Sequence, residues 1–131
     1  MPKVVLFQIG ADQPERAMKF YQDVFGWRFD GAQDFWFATT GDDNEPGIGG
    51  ALVRRTDPSV MTMNYVNVPS VDQFAAKITQ KGGQVMGPKM PFPGVGYLAY
   101  CVDTEGNLFG LFQSDPSAGT TAPVNVPTSI R

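Results

Sequence analysis

The chain reads as an α+β protein that uses one structural unit twice. Three observations carry that reading. Each half opens on a β-rich apolar run. Each then passes through an amphipathic stretch of helical period that stops at glycine, and closes with three more strand-like runs. The predicted architecture is a pair of βαβββ modules, about residues 1–55 and 61–115, whose strands form a curved mixed sheet around a cleft. Residues 116–131 are read as a flexible tail.

In the first module, residues 3–9 alternate as a strand. Asp12 is placed to cap a helix over 12–24, with Glu15 as capping-box partner and Pro14 in the first turn. Ala17, Phe20, Tyr21 and Val24 fall at helical spacing and predict its apolar face. Gly26 reads as a left-handed cap. Residues 27–30, 35–39 and 48–54 follow as strands, the last two separated by the turn-rich 41–47. The polar 55–60, with Pro58, reads as the linker between modules.

The second module repeats the order. Residues 62–68 read as a strand, and Ser70 caps a helix over 70–81 with Val71, Phe74, Ala75 and Ile78 as its apolar face. Gly82 and Gly83 end it. Strands follow over 84–86, 97–102 and 108–113, the last two joined by the turn Asp103-Thr-Glu-Gly-Asn107. The glycines of Pro91-Phe-Pro-Gly-Val-Gly96 do not join a strand to a helix, so they predict a structural turn and not a nucleotide loop. Beyond Asp115 the chain is rich in Pro, Ser, Thr, Ala and Gly and has no periodicity.

Composition narrows the function. A hydrophobic content of 42% suffices for a packed core, and a net charge of -3 with scattered Lys and Arg argues against a nucleic-acid partner. No apolar run reaches the roughly 20 residues of a membrane helix, and no signal-peptide pattern opens the chain. The single cysteine, Cys101, forms no intrachain disulfide, which suits the cytoplasm. There is no histidine, so the commonest metal ligand and general base are missing. Asp103 and Glu105 read as turn residues and Cys101 as a small core hydrophobe.

Three stretches together resemble the vicinal oxygen chelate superfamily of glyoxalase I, bleomycin resistance protein and extradiol dioxygenases. They are Arg16-Ala-Met-Lys-Phe-Tyr-Gln-Asp-Val-Phe-Gly-Trp27, Gly47-Ile-Gly-Gly50, and Pro93-Gly-Val-Gly-Tyr-Leu-Ala-Tyr-Cys-Val-Asp-Thr-Glu-Gly-Asn-Leu-Phe-Gly110. The resemblance covers nearly everything before Asp115 and is nearest to small bacterial glyoxalase-related proteins. It implies metal ligands on the first and last strands of each module, where a divalent ion would act as a Lewis acid. At those positions this chain carries Val4 or Leu6, Gly49 to Ala51, Met63 and Gly110, none of them a usual ligand. No metal and no other cofactor is therefore expected. The glycines at 49, 50 and 110 predict empty space where the family holds its metal.

Period-two alternation groups Gln8 with Leu6, Met63 with Tyr65 and Asn67, and Phe112 with Gly110. The resemblance implies that these faces converge on the cleft, so Gln8, Met63, Tyr65, Asn67 and Phe112 are the groups expected to contact a small molecule. Trp36, Tyr97 and Tyr100 are further aromatic candidates. The expected function is binding of a small amphipathic or aromatic molecule, as bleomycin-resistance-type proteins do. Two alternatives are a lyase or isomerase working without the usual metal site, and an interaction protein whose cleft is a dimer surface. The resemblance and the exposed sheet edges also predict a homodimer.

Overall fold

The computed structural model describes residues 2–57 and 62–118. Part of the expected linker and all of the tail beyond residue 118 lie outside them. The described chain forms two compact units, one from residues 5–63 and one from 64–118 with residues 2–4.

The first unit holds β1 (Lys3–Ala11), α1 (Pro14–Phe25), β2 (Arg28–Ala32), β3 (Phe35–Thr39) and β4 (Gly49–Arg54). Its strands lie in the order β2-β3-β4-β1. The outer pairs are antiparallel, whereas β1 and β4 run parallel, with Leu6 beside Gly49 and Gln8 beside Ala51. A parallel pair needs a long crossover, and α1 begins it.

The second unit repeats this plan with β5 (Thr62–Asn67, whose first two residues are counted with the first unit), α2 (Val71–Gln80), β6 (Gln84–Val85), β7 (Met90–Phe92), β8 (Gly96–Val102) and β9 (Leu108–Ser114). The order is β5-β9-β8-β6, and β5 pairs parallel with β9 while the others are antiparallel. The predicted repeat therefore holds, with one addition. The short strand β7 pairs with the start of β8 where a turn was expected. Its proline, with Pro93 directly after it, hid the strand by masking β-propensity; Pro91 can sit there because β7 pairs with β8 alone.

The two helices differ in how they start. Ser70 caps α2 as expected, its hydroxyl accepting from the Gln73 N–H at 3.2 Å. The Gln113 side chain accepts the Val71 N–H at 2.9 Å. Asp12, however, does not cap α1. The N-cap is Gln13, without a side-chain bond, and Asp12 instead takes two hydrogen bonds from Arg55 at 3.1 and 2.9 Å. A guanidinium fork offers two charge-assisted bonds, against the one neutral backbone N–H a cap would supply. Gly26 does close α1 in the left-handed region, at φ 75°.

The apolar face of α1 is also rotated from the prediction. Pro14, Ala17, Met18 and Tyr21 form the inward stripe, while Phe20 and Val24 stand 58% and 55% exposed and Phe25 60%. Trp27 is the cause. Its ring folds back on Tyr21, stacked nearly parallel at 4.9 Å between centroids, and meets Phe7 at 5.7 Å. The stack anchors Tyr21 and turns Phe20 and Val24 outward. By contrast α2 buries its expected face: Val68, Val71, Ala99, Cys101 and Leu111 form a core joined by Phe74 and Ile78.

Candidate functional site

Strand pairing decides which side chains share a surface. Residues opposite each other on neighbouring strands point to the same face of a sheet. Val66, Leu111 and Ala99 pack with α2. The alternate rows must then face away from α2. One row is Tyr65, Gly110 and Tyr100; the next is Asn67, Phe112 and Leu98. Three of the five predicted site residues thus meet on one face. Tyr65 and Phe112 are buried, at 2% and 3% exposure, and Asn67, Leu98 and Tyr100 are half-buried.

The other two predicted residues meet in the first unit. The Gln8 amide, 3% exposed, donates to Met63 Sδ at 3.7 Å. Among the described residues no buried side-chain nitrogen or oxygen lacks a partner. Gln8 is therefore a satisfied core amide here and does not carry the penalty of an unpaired one.

The space expected at Gly50 and Gly110 is filled. A Cβ on Gly110 would drive into the Tyr65 ring, and a Cβ on Gly50 would strike the Phe7 ring and backbone. Each glycine is needed because an aromatic ring on the neighbouring strand lies across it. Tyr65 also hydrogen-bonds Tyr100, with ring centroids 6.4 Å apart. Burial, with the Tyr100 hydroxyl close by, pushes the Tyr65 phenol far above its ordinary pKa.

These contacts test the metal site that the resemblance implies. The matching positions hold an exposed Val4, a buried Leu6, Gly49 to Ala51, Met63 and Gly110. None offers a carboxylate or imidazole, and the Tyr65 ring leaves no room for a longer side chain at 110. The residues do not fit a resident divalent ion. No group of three His, Cys, Asp or Glu among the described residues could hold one elsewhere.

The remaining candidates settle into structural roles. Asp103 accepts from the backbone of Asn107 and Glu105 at 2.9 and 2.8 Å, which holds its carboxyl below the usual range and pins the β8–β9 turn. Burial pushes the Cys101 thiol up, which suits a packing role. Tyr97 belongs to the α2 side. Trp36 sits opposite Leu52 in the first unit. Leu98 was not anticipated, although the turn contained the signal. Once Val102 pairs with Leu108, counting back places Tyr100 on Gly110 and Leu98 on Phe112.

A cavity of about 270 Å³ lies along the β3–β4 loop, which the sequence showed only as turn chemistry. Thr39, Thr40, Asp42, Asp43, Glu45 and Ile48 are among its lining. It holds none of the five predicted residues. No helix among the described residues is long and apolar enough to cross a membrane.

A duplicated β-α-β-β-β plan with parallel first and last strands defines a class of fold, and comparison with known proteins gives it a name. The profile of the Glyoxalase/Bleomycin resistance protein/Dioxygenase superfamily matches residues 3–111, and the chain belongs to that family. A Mycobacterium bovis protein described as a candidate glyoxylase, CFP32, is 29% identical over 80% of this chain but only 43% of its own length. The chain thus spans less than half of that relative. A glyoxylase-like domain-containing protein of Didymella fabae is 30% identical over 79% of this chain and 88% of its own. Among solved structures, a methylmalonyl-CoA epimerase in complex with methylmalonyl-CoA superposes with a TM-score of 0.64 at 15% identity, covering 91% of this chain and 99% of the other. The Mn(II)-bound glyoxalase of Novosphingobium aromaticivorans superposes at 0.63 with 18% identity, over 98% of this chain and 44% of that one. These likenesses show a shared fold.

Two outcomes follow from the Tyr65–Gly110 contact. Gly110→Ala should destabilise the protein by about 1–3 kcal/mol through overpacking. In the double mutant with Tyr65→Leu the loss should be smaller than the sum of the two, read from denaturant midpoints. The second concerns pH. In the unfolded chain Tyr65 ionises near pH 10, while in the folded chain it keeps its proton to higher pH. Its contribution is thus complete below about pH 10 and is lost as the pH rises above it, because the unfolded state gives up the proton first. Tyr65→Phe should flatten the fall in stability above that pH, and an unchanged profile would refute the assignment.

Proposed function

We propose that the protein binds a small flat molecule, aromatic or amphipathic, on the face of Tyr65, Asn67, Leu98, Tyr100 and Phe112, and performs no chemistry at a resident metal. The observation that supports this is a buried aromatic floor, Tyr65 and Phe112, bordered by half-exposed Asn67, Leu98 and Tyr100. An apolar surface with a few placed polar groups is the usual make-up of a small-molecule site. The lyase or isomerase alternative needs an acid–base group near neutral pH. The chain has no histidine, and burial raises the Tyr65 phenol away from that range. Methylmalonyl-CoA, the ligand of one structural neighbour, is anionic, and the five strands of this unit carry no Lys or Arg to meet it.

The proposal includes a homodimer in the cytoplasm. The exposed Phe20, Val24 and Phe25 of α1 offer an apolar surface for a second copy, and a lone buried thiol suits a reducing compartment. Light scattering at micromolar concentration should give twice the chain mass; the mass of one chain would remove this part. For the ligand face, a fragment screen followed by NMR should perturb Asn67 and Leu98. Asn67→Leu should then weaken the best fragment by about 1–3 kcal/mol, the cost of an unpaired polar group. Undiminished affinity would take Asn67 out of the site.

A further inference from the structure

The five strands of residues 62–114 contain no Asp, Glu, Lys or Arg at all: Thr62–Asn67, Gln84–Val85, Met90–Phe92, Gly96–Val102 and Leu108–Ser114. For a sheet this is unusual, since charges are a common way to blunt exposed strands. The charges of this unit sit instead on α2 and in turns, and many are engaged there. Lys89, which directly precedes β7, lies over the Tyr97 ring at 4.7 Å and pairs with Asp72 of α2 at 3.1 Å. Tyr97 belongs to the α2 side, so Lys89 is drawn away from the opposite face. Lys77 lies over Phe74 at 4.9 Å. Asp103 is bound into its own turn, and Asp115 accepts from Ser117.

What remains on the face away from α2 is neutral. Its polar groups near the floor are the Tyr65 and Tyr100 hydroxyls and the Asn67 amide, and Tyr65 and Tyr100 are bonded to each other. Asn67, half-buried at the border, can both donate and accept. A charged ligand pressed on such a surface would lose hydration with no counter-charge to replace it. A neutral ring with an amide or alcohol group would lose little and could pair with Asn67.

We infer that this face selects uncharged ligands that join a flat apolar ring to an amide- or alcohol-type group, and that it rejects carboxylates, phosphates and ammonium ions. The inference rests on the binding role proposed above and narrows it to a ligand class. The test uses the full chain, isotope-labelled, titrated with three probes of nearly equal shape: benzamide, benzoate and benzylammonium. The readouts are the Asn67 side-chain amide and Leu98 methyl resonances. Benzamide should shift them saturably, with an affinity at least about tenfold above either ion, equal to about 1.4 kcal/mol, and the same at low and high salt. Benzoate or benzylammonium binding as tightly as benzamide at these resonances would overturn the inference and leave the binding role standing. No response to any probe would sink the binding role and the inference with it. Asn67→Asp provides a second arm, since a carboxylate at the border should weaken benzamide and favour benzylammonium several-fold. A variant that still prefers benzamide would show that the polar group at 67 does not set the selectivity, and that also overturns the inference.

Discussion

The parallel pairing of first and last strands within each unit is the constraint on which the rest depends. β1 lies beside β4 and β5 beside β9, so each unit must carry its chain across the sheet and return. The helix begins that crossing, and two antiparallel strands complete it. The same pairing brings Tyr65 next to Gly110 and Gln8 next to Ala51. It therefore sets an aromatic ring of the first strand against a glycine of the last.

That exchange is a matter of volume as much as chemistry. A glycine on the last strand vacates the room of one side chain, and a ring from the first strand takes it. Tyr65 lies over Gly110 and Phe7 over Gly50, on opposite kinds of face: one looks away from the helix side, the other joins the Trp27 and Tyr21 stack. Close packing tolerates few voids, so glycines in a sheet are better read as the imprint of a neighbouring ring than as a vacancy. Filling by Tyr65 also brings a phenol into the core, where Tyr100 satisfies it and burial keeps it protonated. The face that results is uncharged and partly aromatic, and beside its aromatic floor it offers donors and acceptors at Asn67 and the tyrosine pair.

The charge pattern reinforces this division. Ion pairs of the first unit gather where Arg54 and Arg55 leave β4, with Asp34 at 2.6 Å and Asp12 at 2.9 Å. These are exposed contacts that contribute little to stability. They explain why Asp12, a good cap by sequence, serves as a partner for arginine. In the second unit the cap is the neutral Ser70, and the helix buries its expected face.

By itself the sequence determined the order of the two helices and of the eight expected strands, the duplication, the α2 core, the Gly26 and Ser70 caps and the absence of histidine. These depend on local signals: period, turn residues and the identity of single positions. The family resemblance was legible for the same reason, being carried by contiguous motifs. Only the tertiary structure decided which way α1 turned, what Asp12 paired with, that Met90–Phe92 forms a strand, and that rings occupy the glycine positions. Each of these is settled by a partner distant in sequence: Trp27 and Phe7 for α1, Arg55 for Asp12, β8 for β7, and Tyr65 for Gly110. Alternation could place Tyr65 and Asn67 on one face, but only the register of β9 and β8 brought Phe112, Leu98 and Tyr100 beside them, because pairing energy belongs to two strands at once and is written in neither alone.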